Sequence, residues 1–423
     1  MSRPLRDDPL APPVARTAGC RPFRAMNRRK RVLFIENSTG IGGSTISLFR
    51  LVSRLRDGPY RPLVIFYREN GYVSRFKELG VEVAILNRQP PAAGRSSLRP
   101  VDHRAARIVS LSRPWRQFLR KDIPEALRIR DLINKRGIDL VHVNGRFESS
   151  RGAVLASRLA QVPCVCHVRD YHSFDRMDRW FAKGVDLFLY ISKSVQSHTE
   201  RRLPWAKGQI VYDGVDLSPF QEHIDPATER GSRGLGMDDL VVGSMGRLVE
   251  WKGQHVFLEA LSHLAGDFPR LRALVAGEPD PPGETSYVER LRGLTRDLGL
   301  EGRVNFLGFV RDVPRFMASL DVFVHSSISP EPFGLTILES MAAGCPVVAT
   351  AAGGALDLLS DGETGRLVPL GDPRSMAEAL RQVVSDREAS AHMVEAARNQ
   401  VAQRFTIEKF AEGVERAYSK VLS

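Results

Sequence analysis

The feature that most constrains this chain is an alternation that occurs twice. Short apolar runs, each the length of one buried strand, are separated by stretches of helical character. In the first half the runs fall at 31–36, 62–67, 81–86, 140–143, 164–168 and 187–191, with helical stretches such as 44–55, 123–136 and 151–161 between them. Strands that are apolar on both faces and joined through helices make parallel sheets covered on both sides. The pattern restarts with runs at 240–246, 272–276, 304–307, 321–325 and 346–350. Two consecutive α/β domains are therefore expected, connected through 219–236, a stretch rich in Gly, Pro and charge. In such sheets ligands gather outside the carboxyl ends of the strands, so the cleft between the domains is the expected site.

With 423 residues, 43% of them hydrophobic, the chain has material for two cores. No apolar run approaches the ~18–20 residues of a membrane-spanning helix. The opening MSRPLRDDPL has no apolar signal region, and Cys20, Cys164, Cys166 and Cys345 fit neither a disulfide framework nor a CxxC metal pattern. A cytoplasmic setting is the expectation, with Cys164 and Cys166 as core residues. Residues 1–30 read as a disordered basic tail, in which Met26 offers a second start.

The net charge of +12 is concentrated in two blocks. Residues 1–31 carry nine Arg/Lys against Asp7 and Asp8, and residues 88–136 carry thirteen against four acids. Local blocks on a slightly acidic body favour contact with an anionic surface over nucleic-acid binding. In the second block Arg107, Arg113, Arg116, Arg120 and Lys121 are interleaved with Ile108, Leu111, Trp115, Phe118 and Leu119. This suits an interfacial segment at the inner face of a membrane, or a solvated helix packed on the first domain.

Several signatures of other chemistries are missing. The Gly-rich turn at 40–43 has Thr45 where a dinucleotide fingerprint needs its third glycine, and no Lys-Ser/Thr follows it as in a P-loop. Its bare backbone at Gly42 and Gly43 can still admit a ligand or present N–H groups to an anion. The sequence contains no Asp-x-Asp, no HExxH and no GxSxG, which disfavours metal-dependent and hydrolase chemistry.

The informative stretch is 326–354, SSISPEPFGLTILESMAAGCPVVATAAGG. A helix is expected to start near Phe333 and Gly334 and to end near Gly344, followed by a buried strand. Glu331 stands just before that helix and Glu339 inside it, a rise of at most about 12 Å. The free N–H groups of the helix start lie between them and form an anion site by geometry and dipole. Two carboxylates flanking a phosphate cradle match a ligand laid out as sugar, diphosphate and ribose. Upstream, GRLVEWKG at 246–253 places Arg247 and Lys252 after another strand, where two cations could neutralise a departing diphosphate.

Together with VYDGVD at 211–216, VAGE at 275–278, FLGFV at 306–310 and DGETGRLV at 361–368, these motifs resemble those of the GT4-type glycosyltransferases (glycosyl transferases group 1), retaining enzymes of the GT-B fold. The resemblance covers 31–423 and is most specific in the second half. It implies two Rossmann-like parallel-sheet domains facing a cleft. Residues 31–212 would form the acceptor domain and 213–405 the nucleotide-sugar domain, with a final helix at 406–423 packing back toward the first domain. It further implies a UDP- or GDP-sugar donor, a hydroxyl acceptor that could be lipid-linked, retention of anomeric configuration and no divalent metal or other cofactor.

Residue by residue, the resemblance gives Glu331 the donor sugar hydroxyls and Glu339 the ribose. Arg247 and Lys252 would hold the diphosphate with the backbone of Gly334 and Leu335, in the Pro-Phe-Gly-Leu setting that includes Phe333. Phe309 and Val310 would meet the base, Gly42 and Gly43 would line the acceptor and phosphate side, and His167 would face the reacting sugar. Two positions depart from the family pattern: Asp213 stands where Asn is usual, and Asn144 where a second His is frequent beside His142. The other histidines, His325 among them, read as ordinary. A catalytically silent nucleotide-sugar-binding partner is the alternative, while the failed fingerprint weakens an oxidoreductase.

Overall fold

The computed structural model describes residues 28–37, 42–86, 115–280 and 283–423. Among the described residues thirteen strands form two wholly parallel sheets. The first contains β1 (Lys30–Glu36), β2 (Tyr60–Phe66), β3 (Glu82–Ile85), β4 (Leu140–Asn144), β5 (Cys164–Val168), β6 (Leu187–Tyr190) and β7 (Gly208–Ile210), in the order β3-β2-β1-β4-β5-β6-β7. The second contains β8 (Leu240–Met245), β9 (Leu271–Ala276), β10 (Val304–Gly308), β11 (Val322–His325), β12 (Val347–Thr350) and β13 (Arg366–Val368), in the order β10-β9-β8-β11-β12-β13. Both are doubly wound sheets whose order reverses once, between β1 and β4 and between β8 and β11.

The central strands are apolar on both faces because both faces are covered. In β1, Leu33 and Ile35 belong to one core while Val32 and Phe34 belong to another. The second of these faces is closed by the helices Gly43–Leu55 and Ile407–Leu422. The latter is the C-terminal helix, and it buries Phe410, Val414, Ala417 and Tyr418 against Val32, Phe34 and Leu48 of the first domain. The chain returns there through a short parallel bridge between Val215 and Thr406, with Val215 N–H donating to the Phe405 carbonyl at 2.9 Å and Ile407 N–H to the Val215 carbonyl at 3.0 Å.

Local signals explain the element ends. The Ile123–Arg136 helix stops at Gly137, whose φ of +57° is left-handed and suits glycine. The stretch at 219–236, expected as a connection, contains the short helices Ser218–Gln221 and Pro226–Gly231. The latter is capped by Asp225, which accepts from Ala227 and Thr228 N–H, with Pro at its first position. Most of the segment at 107–121 lies outside the described residues, as do Cys20 and the tail at 1–27. From Trp115 onward it is helical, with a π-helical turn at Phe118–Asp122 leading into Ile123–Arg136. Trp115, Leu119 and Leu127 are exposed there, while Phe118 packs against Phe181. Among the described residues no helix is long and apolar enough to cross a membrane.

Candidate functional site

In the second domain the site grows from the reversal between β8 and β11. After β8 the chain passes Arg247 and a short turn, Glu250–Lys252, before Gly253 opens the helix Gln254–Ser262. Gly253 has φ +67°, and a Cβ there would collide with the Ser326 carbonyl, so the turn lies directly on the end of β11. Ser326 Oγ donates to the Lys252 carbonyl at 3.1 Å and Ile328 N–H to the Trp251 carbonyl at 2.9 Å, which fixes the contact.

This seating brings Lys252 onto Glu331, 79 residues away in sequence, as an ion pair with both side chains about 15% exposed. His325 Nε2 lies 3.4 Å from the same carboxylate oxygen, Oε2, and Ser327 Oγ lies 3.4 Å from it and 3.2 Å from His325 Nε2. Among the described residues these contacts all fall on Oε2, which leaves Oε1 for a ligand's hydroxyls. Burial pushes the Glu331 carboxyl up, but Lys252 and His325 together pull harder and hold it well below the ordinary carboxylate range. It is therefore an acceptor across the physiological range. His325, read as ordinary from the sequence, is buried beside it.

Beyond Glu331 the helix Leu335–Ala343 starts at Gly334, whose φ is +102° and where a Cβ would press on Ile337 at 2.9 Å. Among the described residues no side chain caps this helix, so its first N–H groups, among them that of Leu335, are available to an anion. Glu339, inside the helix, is buried and pairs with Arg50 of the first domain at 2.6 Å. Arg247 pairs with Asp280, is about half exposed, and stands with Lys252 against the Trp251 ring, the two cations 5.7 and 4.5 Å from its centroid. Phe309 is exposed and Val310 half-buried just past β10, at the edge of this sheet.

Two expectations are corrected. The Phe333 ring does not face a ligand: it is buried between Tyr212 and Phe405, 6.1 and 6.4 Å between centroids, where the connection meets the returning chain. Only its backbone remains near the helix start. His167 does not face the cleft either. Its ring is fully buried on the sheet face covered by the C-terminal helix, against His142 at 5.8 Å and Phe410 at 5.9 Å. A guanidinium can only donate, so His167 Nδ1, 3.2 Å from Arg169 Nη2, is an acceptor and its ring proton sits on Nε2. Burial first, then Arg169 and His142, push the imidazole well below its usual range.

The residue at the end of β5 that gathers the first domain's polar groups is Arg169, which no sequence motif singled out. Its Nε donates to Asn144 Oδ1 at 2.6 Å and its Nη1 to both oxygens of Asp213, at 2.7 and 2.8 Å. Asn144 Nδ2 donates to Glu36 Oε2 at 2.5 Å, and Ser47 Oγ to Asp213 at 2.6 Å. The two departures from the family pattern, Asn144 and Asp213, thus both serve one buried arginine. Among the described residues nothing lies within 4 Å of where a Cβ would stand on Gly42 or Gly43, at the start of the Gly43–Leu55 helix. Residues 38–41 of that turn lie outside the described residues. Across the cleft, Lys193 N–H and Tyr212 OH reach Asp357 at 2.9 and 3.3 Å, and Tyr171 OH reaches the Glu331 carbonyl at 3.4 Å. Among the described residues no three His, Cys, Asp or Glu side chains converge as metal ligands do.

Comparison with known proteins relates both halves of the chain to glycosyltransferases. Residues 225–400 match the family described as glycosyl transferases group 1, and residues 41–219 match glycosyltransferase family 4. The lipopolysaccharide core biosynthesis glycosyltransferase LpsE of Rhizobium meliloti is 36% identical over 197 residues, 47% of this chain and 54% of that protein. A D-inositol 3-phosphate glycosyltransferase of Corynebacterium urealyticum is 35% identical over 222 residues, 50% of this chain and 51% of that one. The chain thus spans about half the length of these relatives. Among solved structures, the Anabaena protein HepE in complex with UDP-glucose superposes with a TM-score of 0.76 at 26% identity, covering 92% of this chain and 99% of that one.

Proposed function

The chain belongs to the GT4-type glycosyltransferases of the GT-B fold, and from that premise we propose that it moves a sugar from a nucleoside-diphosphate sugar to a hydroxyl acceptor, with retention of configuration and without a metal ion. The observation that carries the reading is the cluster of Lys252, His325, Ser327 and Glu331 beside the uncapped start of the Leu335–Ala343 helix. Glu331 Oε1 accepts from hydroxyls of the donor sugar, and the helix N–H groups of Gly334 and Leu335 meet the diphosphate. Lys252 and Arg247 bring positive charge to the leaving group as its negative charge develops, which is where electrostatic stabilisation lowers a barrier. Glu339 accepts from the ribose, and Phe309 and Val310 flank the base.

The donor is a UDP- or GDP-sugar, and the UDP and UDP-glucose held by HepE favour uridine. The acceptor belongs to cell-surface glycan or glycolipid assembly, a reading supported by the name of LpsE. The exposed Trp115, Leu119 and Leu127, among Arg116, Arg120, Lys121 and Arg128, support contact of the cytoplasmic enzyme with an anionic leaflet carrying such an acceptor. The test is release of UDP or GDP from a panel of nucleotide sugars, with the anomeric configuration of the product read by NMR. Release from a donor and a retained configuration are expected. Tight binding of a nucleotide sugar with no release, under any acceptor tried, would instead mark a silent binding partner.

A further inference from the structure

We infer that Arg50 is a nucleotide-binding residue contributed by the first domain, whose guanidinium clasps Glu339 and donates to the ribose diol of the same nucleotide. The inference rests on the assignment of Glu339 to the ribose. Arg50 projects from the Gly43–Leu55 helix, and its Nη2 meets Glu339 Oε1 at 2.6 Å, with the two side chains 18% and 6% exposed. Among the described residues the pair uses one nitrogen and one oxygen. A guanidinium that only holds a carboxylate frequently closes both arms of its fork on it. Here Arg50 Nη1 is buried with no hydrogen-bond partner among the described residues. A buried donor of this kind is costly unless something accepts from it.

The vicinal hydroxyls of a ribose complement this half-used pair. One hydroxyl donates to the carboxylate, which can only accept, and a hydroxyl oxygen accepts from Nη1, which can only donate. The nucleoside then completes a contact that already spans the two domains, so gripping the ribose and holding the cleft closed become one event. A ligand without the diol gains nothing from Arg50.

The experiment measures binding to the full chain by calorimetry. The ligands are UDP and GDP, the 2′,3′-dideoxy analogue of whichever binds, and inorganic pyrophosphate; thermal melting without ligand confirms that each variant is folded. Arg50→Met is expected to weaken the ribonucleotide about tenfold or more, to leave the dideoxy analogue and pyrophosphate unchanged, and to be partly rescued by Arg50→Lys. Ribonucleotide binding by Arg50→Met that equals or exceeds that of the unaltered chain would overturn the inference, as would an equal loss for all three ligands. Glu339→Gln separates the two levels. If it weakens the ribonucleotide while Arg50→Met does not, only the role of Arg50 falls. If it leaves the ribonucleotide unaffected, the ribose assignment falls and the role of Arg50 with it.

Discussion

The two domains end their sheets in the same way and use the result differently. Each places a buried charged cluster at the carboxyl ends of its central strands, where the strand order reverses. In the first domain Arg169 spends its donors on Asn144, Asp213 and His167, and Asp213 is held in addition by Ser47. In the second, among the described residues, Glu331 engages its neighbours through one oxygen, Lys252 makes one ion pair, and the helix start beside them has no cap. A closed network fixes the shape of the floor beneath a ligand, whereas an open one has bonding capacity left for the ligand itself. Charge burial alone does not mark a binding site, and neither does an unpaired atom sealed in a core, as the buried Nε2 atoms of His142 and His167 are; an unspent carboxylate oxygen beside an uncapped helix start does.

The largest effect that can break this contrast is on stability. Asp213→Ala would leave the Arg169 guanidinium, 3% exposed, without its counter-charge. Removing one partner of a buried pair costs about 3–5 kcal/mol, so denaturant unfolding should show a loss of that order. Asp213→Asn, which installs the residue usual in the family, keeps one acceptor and should lose less. An Asp213→Ala protein of unchanged stability but lost turnover would show that the first domain's cluster is open after all.

On the other side of the comparison, Glu331→Ala should lower turnover with the fold intact. The lost contact is a charge-assisted hydrogen bond worth about 1.5–3 kcal/mol, roughly ten- to a hundredfold in rate. Lys252→Met sharpens the point through pH. Glu331 is held low chiefly by Lys252 against a burial effect that acts upward. Without the lysine, burial dominates, the carboxyl pKa rises, and activity should fall on acidification in a range where the unaltered chain shows no such limb. A profile of kcat/KM against pH that is identical in both would remove Lys252 as the group that keeps Glu331 ionised.

The same contrast explains what could be read from the sequence. The strand runs and the helix from Leu335 to Ala343 with glycine at either end were legible because each depends on local spacing, while the placing of Lys252 and Glu331 in one site came from the family resemblance and their ion pair was not foreseen. The edge strands β7 and β13 were not, since three residues are too few to make a hydrophobic run. Arg169 was invisible because its partners come from separate segments, and Asn144 and Asp213 looked like mere departures until the arginine between them was in view. His167 was misjudged for a related reason: position at a strand end does not say which face of the sheet a side chain enters. Here the face it enters is closed by a helix from the far end of the chain. Arg50 and Glu339 meet across 289 residues, and nothing local announces it.

The smallest expected effect concerns the two histidines packed beneath Arg169. Burial and then Arg169 lower His142 to about 3, and burial, Arg169 and His142 lower His167 well below its ordinary value. Both rings are therefore neutral in the folded chain at pH 5, whereas in the unfolded chain they take up protons near pH 6.5. A group whose folded pKa is depressed lets the unfolded state bind more protons below its own ordinary value, so stability is full above about pH 6.5 and declines as pH falls. Each histidine contributes about 1 kcal/mol per pH unit to this decline. The unfolding midpoint of the first domain should drop between pH 7 and pH 5. His142→Gln should flatten that slope by one proton, even though it also loses the 2.7 Å bond to Tyr418 that lowers stability at every pH. A slope indifferent to the substitution would mean that His142 is protonated in the fold. The first domain's network would then have to accommodate a positive charge beside Arg169, contrary to the closed arrangement described for it.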